Sequence, residues 1–127
     1  MTFADIGLVA LGGGCGASGR YAIGLAQARL TPWPGWTGVL LANLLGCLII
    51  GVVAGSGGRD PWVRAVFMTG LAGALTTFSS FALDLALMVV ATAWGQLIWC
   101  VLLSLAGGTS LILAGRAIGV AWFGASA

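Results

Sequence analysis

Long apolar runs alternate with short polar interruptions along the chain, and four of these runs are long enough to cross a lipid bilayer. They cover about residues 4–27, 36–55, 62–91 and 97–120. A membrane-spanning helix needs roughly 20 predominantly apolar residues. The pattern therefore predicts an all-α membrane protein, a single domain built from four transmembrane helices.

The third run differs from a simple membrane anchor because polar residues are concentrated near its centre. Residues 69–84 read TGLAGALTTFSSFALD, which contains two glycines, five hydroxyl side chains and a carboxylate. Unpaired polar groups are costly in hydrocarbon, so they usually line a wet or protein-filled interior. Because glycine weakens a helix, this stretch predicts a third helix that is broken near its middle.

A polar track is expected in the second half of that broken helix. At 100° per residue, four polar side chains fall within about a quarter turn of one another, with two aromatic rings beside them. The polar residues are Thr76, Thr77, Ser80 and Asp84, and the rings are Phe78 and Phe81. The alternative is a kinked, closely packed helix whose hydroxyls bond back to the carbonyl four residues earlier.

Composition supports a membrane protein and limits its chemistry. Of the 127 residues, 60% are hydrophobic and 6% are charged, whereas about 25% is typical of soluble domains. His, Lys and Glu are absent, and the three cysteines have no CxxC spacing. A transition-metal site is therefore not expected, and Schiff-base and P-loop chemistry are excluded. We expect neither an enzyme nor a nucleic-acid-binding protein, since the net charge is only +2.

Two polar residues outside the third run have two explanations each. Arg20 follows a glycine-rich stretch in the first span, where it could reach the headgroups or place a fixed positive charge at the mouth of an anion path. Asn43 is the strongly polar residue of the second span. Its amide could join two helices or present its NH2 group to an anion.

The few charges specify the orientation of the chain poorly. Arg59, Arg64 and Arg116 count toward the side that holds both termini, and Arg29 counts toward the other, while Arg20 within the first span is assigned to neither. Basic residues in cytoplasmic loops set orientation, and this bias is small. We therefore predict that the chain inserts in both orientations and pairs as an antiparallel dimer.

Three segments resemble the Fluc (CrcB) family of small fluoride channels. Residues 69–81, TGLAGALTTFSSF, are close to the family pattern TGxxGGxTTFSTF. Residues 12–21, GGGCGASGRY, are similar to the family's first span, with glycines followed by Arg and an aromatic residue. Residues 38–51, GVLLANLLGCLIIG, are similar to its second span, which is built on Asn and Gly.

The resemblance implies a multi-pass protein of the cell (inner) membrane. It would be a dual-topology, antiparallel homodimer with two pores that export fluoride passively and lower its toxicity in the cytoplasm. A structural sodium ion would lie at the dimer centre, held by the backbone carbonyls of Gly73 and Thr76. The implied pore residues are Asn43, Phe78, Ser79, Ser80, Phe81 and Ser104, with Arg20 and Asp84 as candidates for a vestibule or gate.

Several positions depart from the family pattern. Ala74 replaces a second glycine, and Ser80 replaces Thr but keeps the hydroxyl. Val39 stands where Thr is common, and Asp84 is one methylene shorter than the usual Glu.

Two other classes of membrane protein are also compatible with four apolar spans. A small multidrug-type proton-coupled cation exporter also has four spans, but it needs an ionisable carboxylate within a span, and Asp84 is the candidate here. An assembly subunit with no ion path would tolerate apolar replacement of its Ser, Thr and Asn residues.

Overall fold

The computed structural model describes residues 3–57 and 60–124, and this part of the chain is almost entirely helical. Arg59, which entered the charge count above, lies outside the described residues. Helix 1 is Phe3–Leu30 and helix 2 is Trp36–Gly55. The third span is Pro61–Val90 and helix 4 is Trp94–Phe123. The four predicted helices are confirmed, and helices 1 and 4 extend beyond their expected ends.

Three helical spans in the described residues are long and apolar enough to cross a membrane. They are helix 2, the third span and helix 4. Helix 1 has 28 residues, which is sufficient length. Its run of glycines and Arg20 make it less apolar, so its crossing of the membrane stays a prediction.

The third span is broken, as predicted, but not at its glycines. Helix 3a, residues 61–75, includes a π-helical segment at Arg64–Ala72. Thr76 and Thr77 are then extended, with φ/ψ of −79°/152° and −151°/112°. Helix 3b follows as Phe78–Val90. The expected polar stripe running through Thr76 and Thr77 is therefore wrong, because neither residue is helical.

Glycines bring helix 1 and helix 3a into close contact. A methyl group at Gly12 would overlap the carbonyl oxygen of Val66, and one at Gly16 would overlap that of Leu71. A Cβ atom at Gly70 would lie 3.0 Å from the Cα atom of Gly12. Residues later in helix 1 contact residues later in helix 3a, so the two helices run parallel. Small residues allow such backbone approach in lipid, as the GxxxG spacing predicted.

A second glycine contact joins helix 2 to helix 4. A methyl group at Gly51 would overlap the carbonyl oxygen of Ile112, and one at Gly55 would overlap that of Arg116. In return, a Cβ atom at Gly115 would lie 3.2 Å from the carbonyl carbon of Gly51. These two helices also run parallel. The two tightly packed pairs leave the break in the third span facing helix 2.

Candidate functional site

Asn43 of helix 2 is bonded to the backbone of the break. Its Oδ1 accepts a hydrogen bond from the backbone N–H of Thr77 at 2.8 Å, and its Nδ2 lies 3.5 Å from the carbonyl oxygen of the same residue. Gly46, about one turn later on helix 2, also packs closely against the break, since a methyl group there would overlap the Thr76 side chain. The amide of Asn43 therefore joins two helices, the first of the two roles considered from sequence.

The Thr77 hydroxyl caps the start of helix 3b. Its Oγ1 accepts from the backbone N–H of Ser80 at 3.2 Å and donates to the Ser80 hydroxyl at 3.1 Å. The Ser79 hydroxyl is also near, at 3.2 Å. Thr77 itself is buried, with 7% of its surface exposed. A Thr N-cap of this kind satisfies a donor that has no partner within the helix.

These bonds leave two backbone carbonyls without donors. In a continuous helix the N–H groups of Thr77 and Ser80 would bond to the carbonyls of Gly73 and Thr76, four residues earlier. Asn43 and the Thr77 hydroxyl take those N–H groups instead. In the part of the chain that the structure describes, neither carbonyl receives another hydrogen bond.

The Thr76 hydroxyl behaves as the packing alternative predicted. It donates to the carbonyl of Ala72, four residues earlier, at 3.0 Å. The backbone N–H of Thr76 bonds to the same carbonyl, also at 3.0 Å. The hydrogen of the Thr76 hydroxyl is therefore used within helix 3a.

Two aromatic rings stand beside the break at the start of helix 3b. The ring centroids of Phe78 and Phe81 are 6.1 Å apart, and their planes are tilted by 50°. Phe78 is 81% exposed on the single chain, whereas Phe81 is half-buried. Ser79 is exposed beside them, and Ser80 is half-buried. The two rings thus form one aromatic edge next to two hydroxyl groups.

A second polar cluster lies further along helix 3b, where it faces helix 4. Asp84 Oδ2 and Ser104 Oγ are buried, and Asp84 Oδ2 has no hydrogen-bond partner among the described residues. The buried Cys100 lies one turn before Ser104 on helix 4, within reach of the Ser104 side chain. Buried polar atoms normally have partners, so this cluster is suited to a polar ligand.

Arg20 lies deeper along helix 1 than its sequence context suggested. Helix 1 continues to Leu30, which places Arg20 about 15 Å before the helix end at 1.5 Å per residue. The neighbouring Gly19 faces Leu75, where a Cβ atom would lie 3.7 Å from the Leu75 side chain. Arg20 is therefore at the level of the break.

Sequence reasoning missed one member of these clusters. Thr77 was placed in the polar stripe but not among the site residues, although Thr is one of the favoured N-cap residues at the start of a helix. The structure brings Asn43, Thr77, Ser79 and Ser80 together at the break, and it buries polar atoms of Asp84 on helix 3b and Ser104 on helix 4.

Comparison with known proteins identifies the family. Residues 7–116 match the family model described as "CrcB-like protein, Camphor Resistance (CrcB)". A relative from Paracoccus denitrificans, named fluoride-specific ion channel FluC, is 38% identical over 87% of this chain and 93% of its own length. A relative of the same name from Rhodopseudomonas palustris is 39% identical over 90% of this chain and 92% of its own length.

A third relative, from Chloroflexus aurantiacus, has the same name and is 37% identical over 91% of this chain and 94% of its own length. The relatives are named as ion channels, which confirms that no enzyme is to be expected here. The apolar helices agree with an integral membrane protein. The chain belongs to the CrcB family.

Proposed function

We propose that this chain is a fluoride-specific channel that lets fluoride leave the cell passively and so lowers its toxicity in the cytoplasm. The observation that carries the proposal is the extended similarity to relatives named fluoride-specific ion channels, at 37–39% identity over most of the chain. The polar side chains at the third-span break and further along helix 3b support it. We place the protein in the cell (inner) membrane.

The side chains at the site have the chemistry that a fluoride path needs. Fluoride is small and strongly hydrated, so a path must replace its water with donors that still let it leave. The hydroxyls of Ser79, Ser80 and Ser104 and the amide hydrogens of Asn43 are such donors. The rings of Phe78 and Phe81 add a weakly positive edge, which attracts an anion without a full charge that would trap it.

The free carbonyls at the break fit a sodium ion. Hard cations bind oxygen ligands, and interrupted membrane helices use their C-terminal ends to bind cations. The carbonyls of Gly73 and Thr76 have no hydrogen-bond donor within the described chain, and Gly73 is exposed on the single chain. A bound sodium ion would supply a central positive charge, and these two carbonyls would hold it.

A second, oppositely inserted copy would cover the exposed face of the break. Gly73, Phe78 and Ser79 are exposed near the break on the single chain, and free backbone carbonyls need a partner at membrane depth. We expect reporters fused to the C-terminus to be found on both sides of the membrane in cells. Reporters on one side alone would contradict the dual topology, and a reporter on a single-orientation membrane protein is the control.

The direct test is a fluoride electrode beside liposomes that contain the purified protein. We expect rapid fluoride efflux once a cation ionophore removes the opposing voltage, and no comparable efflux of chloride from matched liposomes. Empty liposomes are the control. Equal rates for the two anions would contradict a fluoride-specific channel, and the absence of flux would contradict any channel.

A further inference from the structure

We infer that the side chains of Asn43 and Thr77 create the cation site at the break by withdrawing two N–H groups from the carbonyls that would bind the ion. This inference rests on the proposed sodium ion. It gives both residues a positioning role that is separate from any contact with fluoride. Neither side chain needs to touch the ion itself.

The hydrogen bonds assign one side chain to each carbonyl. Asn43 Oδ1 accepts the Thr77 N–H at 2.8 Å, and this N–H is the helical partner of the Gly73 carbonyl. Thr77 Oγ1 accepts the Ser80 N–H at 3.2 Å, and this N–H is the helical partner of the Thr76 carbonyl. Each of the two carbonyls is therefore released by one identifiable oxygen atom.

Competition for donors explains why these oxygens matter. At membrane depth an unpaired N–H is costly, so each N–H will bond to whatever acceptor is in reach. Without Asn43 Oδ1, the Thr77 N–H can be satisfied by winding helix 3a further, which occupies the Gly73 carbonyl. Without Thr77 Oγ1, helix 3b can extend toward its N-terminus, so that the Ser80 N–H bonds to the Thr76 carbonyl. Both changes remove a ligand from the cation site.

The bond distances indicate which part of the Asn43 amide matters. The acceptor contact is short at 2.8 Å, whereas the donor contact to the Thr77 carbonyl is long at 3.5 Å. Aspartate keeps an oxygen at the acceptor position and removes the NH2 group. Leucine has a similar size and provides no acceptor. The pair Asn43→Asp and Asn43→Leu therefore separates the acceptor from the donor.

The experiment measures sodium binding through stability and does not depend on fluoride flux. Purified protein in detergent is melted while Na⁺ is exchanged for N-methylglucamine at constant ionic strength, because a ligand that binds the folded state raises its stability. We expect Asn43→Leu and Thr77→Val to raise the half-stabilising Na⁺ concentration about tenfold or more, a loss of about 1.4 kcal/mol. Asn43→Asp and Thr77→Ser should stay within about twofold of the wild type or bind Na⁺ more tightly.

Ser56→Ala is the control variant, since it removes a hydroxyl-to-carbonyl bond of 3.0 Å at the end of helix 2. It should leave the Na⁺ dependence unchanged. The inference is overturned if Asn43→Leu and Thr77→Val keep the wild-type dependence of stability on Na⁺. It is overturned as well if Asn43→Asp and Thr77→Ser lose as much of that dependence as the leucine and valine variants do. It is also overturned if the wild-type protein gains no stability from Na⁺. If Asn43→Leu does not fold, the comparison of Thr77→Val with Thr77→Ser tests the inference. Liposome efflux tests the channel separately.

Discussion

Replacing Phe78 or Phe81 with isoleucine is expected to lower fluoride efflux about 10- to 100-fold, since every 1.4 kcal/mol of lost stabilisation costs a factor of ten. Isoleucine keeps an apolar side chain but has no positive ring edge to face an anion. Phe78 is 81% exposed on the single chain, so its replacement removes little packing there. The loss should therefore appear in the flux and not in the fold of the monomer.

The measurement is initial fluoride efflux from liposomes, with equal protein content confirmed for each variant. Phe67→Ile is the matched control, because Phe67 is also partly exposed, at 38%, but lies on helix 3a before the break. It should keep nearly wild-type efflux. Wild-type efflux in both the Phe78 and Phe81 variants would reject a role for the rings, and an equal loss in Phe67→Ile would show a general effect on the membrane fold.

The broken third helix could be predicted from the sequence, but the position of the break could not. Polar residues concentrated in an apolar run indicated an interruption, and glycines suggested where it would be. Gly70 instead lies within helix 3a and packs so closely against helix 1 that a Cβ atom there would lie 3.0 Å from the Cα atom of Gly12. The break follows at Thr76 and Thr77. The role of a glycine, hinge or contact, depends on a neighbouring helix that the local sequence does not specify.

The contacts of the site residues could not be predicted from the sequence for the same reason. Asn43 and Thr77 are 34 residues apart, and only the packing of helix 2 against the break brings them together. Both roles considered for Asn43 required a polar partner that the sequence could not identify. The cluster of Asp84, Cys100 and Ser104 likewise depends on how helix 3b faces helix 4. Residue types were thus predictable, and partners were not.

Replacing Gly16 with alanine is expected to destabilise the protein by about 1–3 kcal/mol, which is the usual cost of overpacking a well-packed contact. The new methyl group would overlap the carbonyl oxygen of Leu71, and it would lie 3.0 Å from the backbone nitrogen of Leu75. Backbone atoms cannot move aside as the end of a flexible side chain can. Helix 3a must therefore shift as a unit, and its C-terminal end is where the break begins.

Gly14→Ala provides a control two residues away on the same helix. A Cβ atom at Gly14 would meet nothing within 4 Å, and removing a glycine from a helix interior is itself favourable by roughly 0.5–1 kcal/mol. Thermal unfolding of both variants in detergent, in saturating Na⁺, compares them directly. We expect Gly16→Ala to unfold at a clearly lower temperature and Gly14→Ala to match or exceed the wild type. Equal unfolding temperatures would mean that helix 1 is not in close contact with the backbone of helix 3a.

Gly16→Ala should also weaken the stabilisation by Na⁺. Gly16 contacts Leu75, the residue before Thr76, so a shift of helix 3a there would move the carbonyls proposed to bind sodium.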